Sequence, residues 1–205
     1  MIRTVIFDLG KVLVEFDPVN GMKKLGFSKE IREQFQRNIF SGLWEACDEK
    51  PIGNLEIREL FKKAVPGLEQ DVDLLWDQIT VVTKVYEYSH SWILDLKQRG
   101  YQVLILSNYG QQSFEANSKI YPFLADVDGM VISYQVEMMK PNPKIYQYLA
   151  NQYQIQPKEA VFLDDRKENV DGAISCGFSG IVFQNYTQAR EELEHLLATN
   201  PIITL

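Results

Sequence analysis

In this 205-residue chain, the side chains able to do chemistry stand where apolar runs stop. Asp8 follows TVIF, Ser107 and Asn108 follow QVLIL, and the pair Asp164 and Asp165 follows AVFL, with Asn169 just beyond. Lys140 sits in MKPNPKIY, directly before a proline and a helix start. Brought to one rim, Asp8 and Asp165 would repel each other unless a cation sat between them. A small number of hard oxygen ligands suits Mg²⁺, which keeps several waters and shares its remaining positions with phosphate. A lysine and a serine hydroxyl beside such an ion can bind the other phosphate oxygens through charge-assisted hydrogen bonds. A carboxylate in line with the phosphorus can then attack it, forming an aspartyl-phosphate that water hydrolyses. The cation and Lys140 would offset charge gathering on the equatorial oxygens.

Delivering these groups to one place requires strands that end together. TVIFDL (4–9), YQVLILSN (101–108), GMVIS (129–133), AVFLDD (160–165) and FSGIVFQ (178–184) read as strands, apolar enough to be covered on both faces as in a parallel sheet. Helical spacing fills the gaps at 89–100, 142–153, 166–177 and 187–197, the first stopping at Gly100. This alternation predicts an α/β fold with a doubly wound, Rossmann-like parallel sheet flanked by helices, whose ligands bind at the carboxyl ends of the strands. Between Phe16 and Tyr88 no strand run is evident. SKEIREQFQRNIF, NLEIRELFKKAV and LEQDVDLLWDQITVVTKVY carry helical spacing instead, with Ser28 and Asn54 as N-caps. The expected organisation is a core of 1–15 and 89–205 with a small all-helical cap, 16–88, inserted after the first strand.

Four stations in this order, VIFDLGKVL, LILSN, KPNPKIY and FLDDRKEN, resemble those of the haloacid dehalogenase-like hydrolase superfamily, and the helical insert stands where that superfamily carries its cap. The resemblance implies a Mg²⁺-dependent phosphatase with Asp8 as nucleophile and metal ligand. It implies that Ser107 and Lys140 bind phosphate, with Asn108 and Lys11 near the substrate, and that Lys140 also balances Asp8. Asp165 would ligate the metal directly; Asp164 and Asn169 would stand behind it or act through water.

One position departs from the pattern. Phosphatases of the superfamily usually read Asp-x-Asp, the second aspartate protonating the leaving group, and here that position is Gly10. Gly10 keeps the carbonyl that would bind the metal but carries no acid, and general-acid help is worth roughly 10²–10⁴-fold. Three readings follow. A phosphatase could act on a leaving group that departs easily, such as an anomeric sugar 1-phosphate, or draw its proton from the cap, water or substrate; sugar-phosphatase relatives with FDLG resemble this chain. A dehalogenase needs no such proton. A degenerate member would bind without turnover. Paired acids in FLDD make sense around a cation, which dehalogenation by an aspartate does not use, so the phosphatase reading leads.

The remaining residues divide into lesser candidates and packing. Lys11 could reach the phosphate, pair with a cap carboxylate, or simply be solvated. Trp44, Glu45 and Asp48 in GLWEACDEKPIGN could touch substrate, and Phe16 and Asp17 stand where the chain leaves for the cap. His90 and His195 lack ligand spacing. Cys47 and Cys176 read as unpaired thiols of a reducing compartment. A 45% hydrophobic, 24% charged composition is that of a globular protein, and a net charge of -7 argues against nucleic acid or an anionic membrane as partner. With no leader-like start, the expectation is a cytoplasmic monomer or homodimer acting on a small phosphorylated metabolite. The tail TNPIITL carries no signal.

Overall fold

The computed structural model describes residues 1–46, 48 and 54–198. In chain order these form β1 (Thr4–Phe7), β2 (Val14–Phe16), α1 (Pro18–Lys24), α2 (Lys29–Phe35), α3 (Leu43–Ala46), α4 (Asn54–Ala64), α5 (Glu69–Asp77), β3 (Thr83–Val85), α6 (Glu87–Gln98) and β4 (Gln102–Ser107). There follow α7 (Gln111–Asn117), β5 (Gly129–Ile132), α8 (Ser133–Val136), α9 (Pro143–Gln152), β6 (Ala160–Asp164), α10 (Lys167–Ser175), β7 (Ser179–Val182) and α11 (Tyr186–Ala198).

Five strands make a parallel sheet in the order β5-β4-β1-β6-β7. Their side chains alternate between two apolar layers, as the pleat requires. Val5 and Phe7 join Trp92, Leu96 and Leu193 of α6 and α11 on one face, while Ile6 and Phe162 meet Ile145, Tyr146 and Leu149 of α9 on the other. β1 is central and buried throughout, so its end is where the chain's winding reverses. Gly100 ends α6 as its spacing predicts: at φ 84° it turns the chain so that the Tyr101 N–H reaches the Leu96 carbonyl at 3.0 Å.

The inserted segment packs on an apolar cluster of its own, with Phe35, Ile57, Phe61, Leu75 and Trp76 at its centre. Ser28 caps α2 through its hydroxyl, which accepts from the Ile31 N–H at 3.3 Å. The side chain of Asn54, expected as a cap, lies outside the described residues, as do Cys47 and the tail from residue 199.

Two expectations need correction. The segment is not all helical, because β2 and β3 pair antiparallel with Val14 opposite Val85 and Phe16 opposite Thr83. This ribbon joins the outgoing and returning chain, and three-residue strands so far apart in sequence leave no periodic trace. The helix expected to run on to Tyr86 stops at Asp77, followed by a 3₁₀ turn over Ile79–Val82 and then β3. The ITVV run is β-branched at every position, which lowers its propensity to continue an α-helix. Among the described residues, no helix is long and apolar enough to cross a membrane.

Candidate active site

The strand ends converge. Asp8 directly follows β1, and its N–H continues the ladder to the Leu163 carbonyl of β6 at 2.9 Å. Ser107 ends β4, and Asp164 ends β6 with Asp165 next. Asp8, Asp164 and Asp165 each present a carboxylate oxygen, all within 4.8 Å of one another.

Lys140 reaches this cluster from the turn before α9. Its Nζ lies 2.8 Å from Asp8 Oδ1, 2.7 Å from Asp164 Oδ2 and 3.0 Å from the Leu106 carbonyl, and the residue is 2% exposed. Burial alone would discharge the ammonium, but Asp8 and Asp164 outweigh it and raise the lysine's pKa. The Asn108 amide holds the lysine from behind: its Oδ1 accepts the Lys140 N–H at 2.9 Å, and its Nδ2 donates to the Lys140 carbonyl at 3.0 Å. Expected near substrate, Asn108 lines the cavity with both ends of its amide committed to the lysine.

The three carboxylates differ in how they are satisfied. Asp164, fully buried, accepts from the Arg166 N–H at 2.8 Å, from Asn169 Nδ2 at 3.0 Å and from Lys140. Asp8 Oδ1 is buried and accepts no well-aligned hydrogen bond, the nearby Lys140 notwithstanding. Burial pushes the Asp8 carboxyl up to about 6 against the pull of Lys140, with Ser107 pulling the same way as the lysine. Burial and the neighbouring Asp164 raise Asp165 as well. Incompletely satisfied carboxylate oxygens facing one another are the donor set a hard divalent cation requires. The chemistry of this donor set therefore fits Mg²⁺, which Asp8 and Asp165 could hold.

Lys11, at φ 58°, pairs with Asp165 at 3.7 Å; its partner is thus a carboxylate of the sheet rim and not of the cap. Asn169 donates to Asp164 and accepts the Tyr146 hydroxyl on its carbonyl at 2.7 Å, which ties α10 to α9.

Above the cluster lies a cavity of about 250 Å³ whose walls come from both the sheet rim and the inserted segment. Phe16, Phe40 and Trp44 form one wall, with the Trp44 ring 5.1 Å from Phe40 and 5.6 Å from Phe16. Glu45 and Asp48 also line it, and Glu45 reaches Arg166 at 3.5 Å. Of the two residues where the chain leaves for the cap, Phe16 lines the cavity, whereas the Asp17 carboxylate caps α1, accepting the Asn20 N–H at 2.9 Å. His90 pairs with Asp126 at 2.7 Å, away from the cavity, and His195 belongs to α11. The Cys176 thiol lies 3.9 Å from the Pro143 carbonyl.

Residues that sequence reasoning missed make a polar floor. Thr83 donates to Asn117 Oδ1 at 2.7 Å, and Asn117 Nδ2 donates to the Tyr109 hydroxyl at 3.1 Å, all three lining the cavity. Tyr109 in turn shares a hydrogen bond with Tyr121 at 3.0 Å. These residues come from β3, α7 and the loop after β4, so no local motif joins them.

Comparison with known proteins agrees with this architecture. A family model for haloacid dehalogenase-like hydrolases matches residues 2–177. D-ribitol-5-phosphate phosphatase of Bacteroides thetaiotaomicron is 30% identical, covering 96% of this chain and 99% of its own. Sesquiterpene phosphatase of Aspergillus oryzae is 24% identical over 95% of this chain and 96% of its own. The likeness to longer proteins is partial: this chain spans 26% of mouse bifunctional epoxide hydrolase 2, at 31% identity. A solved HAD family enzyme of B. thetaiotaomicron, in complex with magnesium and inorganic phosphate, superposes with a TM-score of 0.72 at 24% identity, covering 92% of this chain and 98% of that one. The chain belongs to the haloacid dehalogenase-like hydrolase family.

Proposed function

We propose that this hydrolase is a Mg²⁺-dependent phosphatase acting on the phosphomonoester of a small polyol or sugar. The observation that carries the reading is the set of three mutually close carboxylates with a buried lysine bridged between two of them, in the lining of a cavity to which Asp8, Lys140 and Asp165 contribute. Paired acids beside Asp8 serve a cation, which a dehalogenase acting through an aspartate would not need. The relative named for D-ribitol 5-phosphate supports a polyol ester. The cavity's make-up supports it too: an aromatic wall can cover a carbon chain, and the Thr83–Asn117–Tyr109 floor can exchange hydrogen bonds with hydroxyls.

In this reading Mg²⁺, when bound, neutralises the carboxylates and polarises the phosphoryl group. Asp8 attacks phosphorus and becomes the aspartyl-phosphate, which water then hydrolyses. Lys140 and Ser107 hold the non-bridging oxygens as charge moves onto them. Asn108 keeps the lysine's backbone in place, and Asp164 with Asn169 fixes the far side of its ammonium. Residues 16–88 act as the cap, whose Phe16, Phe40 and Trp44 wall excludes water and selects the substrate.

The test is phosphate release from a panel of polyol phosphates, sugar 1-phosphates and simple alkyl phosphates, with Mg²⁺ and with chelator, and halide release from a 2-haloacid in parallel. Magnesium-dependent phosphate release that vanishes in Asp8→Asn is expected. Turnover that persists under chelation, or halide release in place of phosphate, refutes the reading.

A further inference from the structure

A polyol phosphate sharpens the problem posed by Gly10. Its leaving group is an alkoxide, which departs slowly unless protonated, and position 10 carries no acid. A methyl group at Gly10 would meet no atom within 4 Å, so nothing from a neighbouring element fills the space where that acid would stand.

The cavity contains few groups that could take over. On the reading above, Asp8 is the nucleophile and Asp165 faces the metal. Lys140 is enclosed between two carboxylates and a carbonyl. Glu45 is exposed and its carboxylate is paired with Arg166. The Tyr109 hydroxyl is bound by Asn117 and Tyr121, and burial drives its pKa well above that of an ordinary phenol.

We propose that Asp48 supplies the proton to the departing oxygen, doing from the inserted segment what the side chain at position 10 cannot. Asp48 is half-buried and shares the cavity with Asp8. It is fixed on three sides: its N–H donates to the Glu45 carbonyl at 3.0 Å, its carbonyl accepts the Ser133 hydroxyl, and its carboxylate accepts the Gly110 N–H. That leaves carboxyl capacity free to carry a proton, in a residue whose backbone is held by Ser133 after β5 and whose carboxylate is held by Gly110 in the loop after β4, the strand that ends in Ser107. The charged and titratable groups facing it are Glu45, Asp8, Lys140 and Tyr109. Burial pushes its carboxyl up to about 7, opposed by the Gly110 N–H and reinforced by Glu45 and Asp8, so a protonated form is accessible near neutrality.

The chemistry balances without another reactant. As the Asp8 oxygen bonds to phosphorus, the ester P–O bond breaks and its electron pair passes to the alkyl oxygen, which takes the Asp48 proton and leaves as an alcohol. The Asp48 carboxylate then accepts a proton from the attacking water. The bond between phosphorus and Asp8 breaks, inorganic phosphate forms, and both aspartates return to their starting states.

This assignment rests on the phosphatase reading, and leaving-group dependence separates the two. Wild type, Asp48→Asn and Asp8→Asn would be compared in saturating Mg²⁺ on ribitol 5-phosphate and on p-nitrophenyl phosphate, whose phenolate departs without help. In single turnovers, which read the first step alone, Asp48→Asn is expected to release the alcohol of the alkyl ester roughly 10²–10⁴-fold more slowly than wild type but p-nitrophenolate less than about ten-fold more slowly, and the losses compared below are those of this step. Asp8→Asn should lose both. Gly10→Asp in the Asp48→Asn background should recover alkyl-ester turnover selectively. Equal losses on the two esters, or no loss on either, overturn the role of Asp48 while leaving the phosphatase intact. A wild-type protein inactive on both overturns the phosphatase reading and the assignment with it.

Discussion

Replacing Lys140 with methionine is the most direct probe of the site's electrostatics. Methionine keeps most of the buried stem and its contact with Phe162, over whose ring the ammonium lies at 5.2 Å. What disappears is the one positive charge between Asp8 and Asp164. The carboxylate oxygens there lie within 4.8 Å of each other, and at an effective dielectric of about 20, unit charges at that separation repel by about 3.5 kcal/mol. Removing one partner of a buried ion pair costs about 3–5 kcal/mol by the same logic. For a chain of this size that corresponds to a fall in Tm of about 6–20 °C.

The sign of the pH dependence follows. Asp8 is already raised from 3.8 to about 6 in the folded protein, and losing the lysine raises it further. A carboxyl with a raised folded pKa destabilises increasingly as pH climbs from its unfolded value to its folded one. The deficit of Lys140→Met should therefore be full near pH 8 and smaller near pH 5. Mg²⁺ should reduce it at either pH by supplying positive charge to the same carboxylates. Thermal melts of both proteins in chelator and in Mg²⁺ measure all of this. A Lys140→Met protein as stable as wild type in chelator near pH 8 would refute the account of the buried triad.

Two further outcomes are expected. Mg²⁺ at a hundred times its Kd should stabilise wild type by about 2.7 kcal/mol, a rise of several degrees in Tm, and Asp165→Asn should lose most of that rise with little change in chelator; an undiminished shift in the melts would remove Asp165 from the metal site. At Gly129, an added Cβ would fall 2.2 Å from the Tyr153 ring, whose hydroxyl is bonded to the Met130 N–H at 2.8 Å. Gly129→Ala should cost about 1–3 kcal/mol by overpacking, read in urea unfolding, with the Mg²⁺-induced shift retained.

The strands of the parallel sheet and the reactive groups at their ends were legible in the amino-acid sequence. A buried parallel strand is a short, nearly unbroken apolar run, so a charge closing it is conspicuous, as at Asp8 and at Asp164 and Asp165. Helix stops and caps such as Gly100 and Ser28 are likewise written within a few residues. The β2–β3 ribbon, the grip of the Asn108 amide on Lys140 and the polar floor of Thr83, Asn117 and Tyr109 were decided only by the tertiary structure. So were the turn of Asp17 away from the cavity and the enclosure of Asp48 beside it. Each of these depends on which side chains meet across long stretches of chain, or on which of two nearby partners a carboxylate finds first. Periodicity reports how one element is buried; the partner of a polar atom is chosen only when the elements pack.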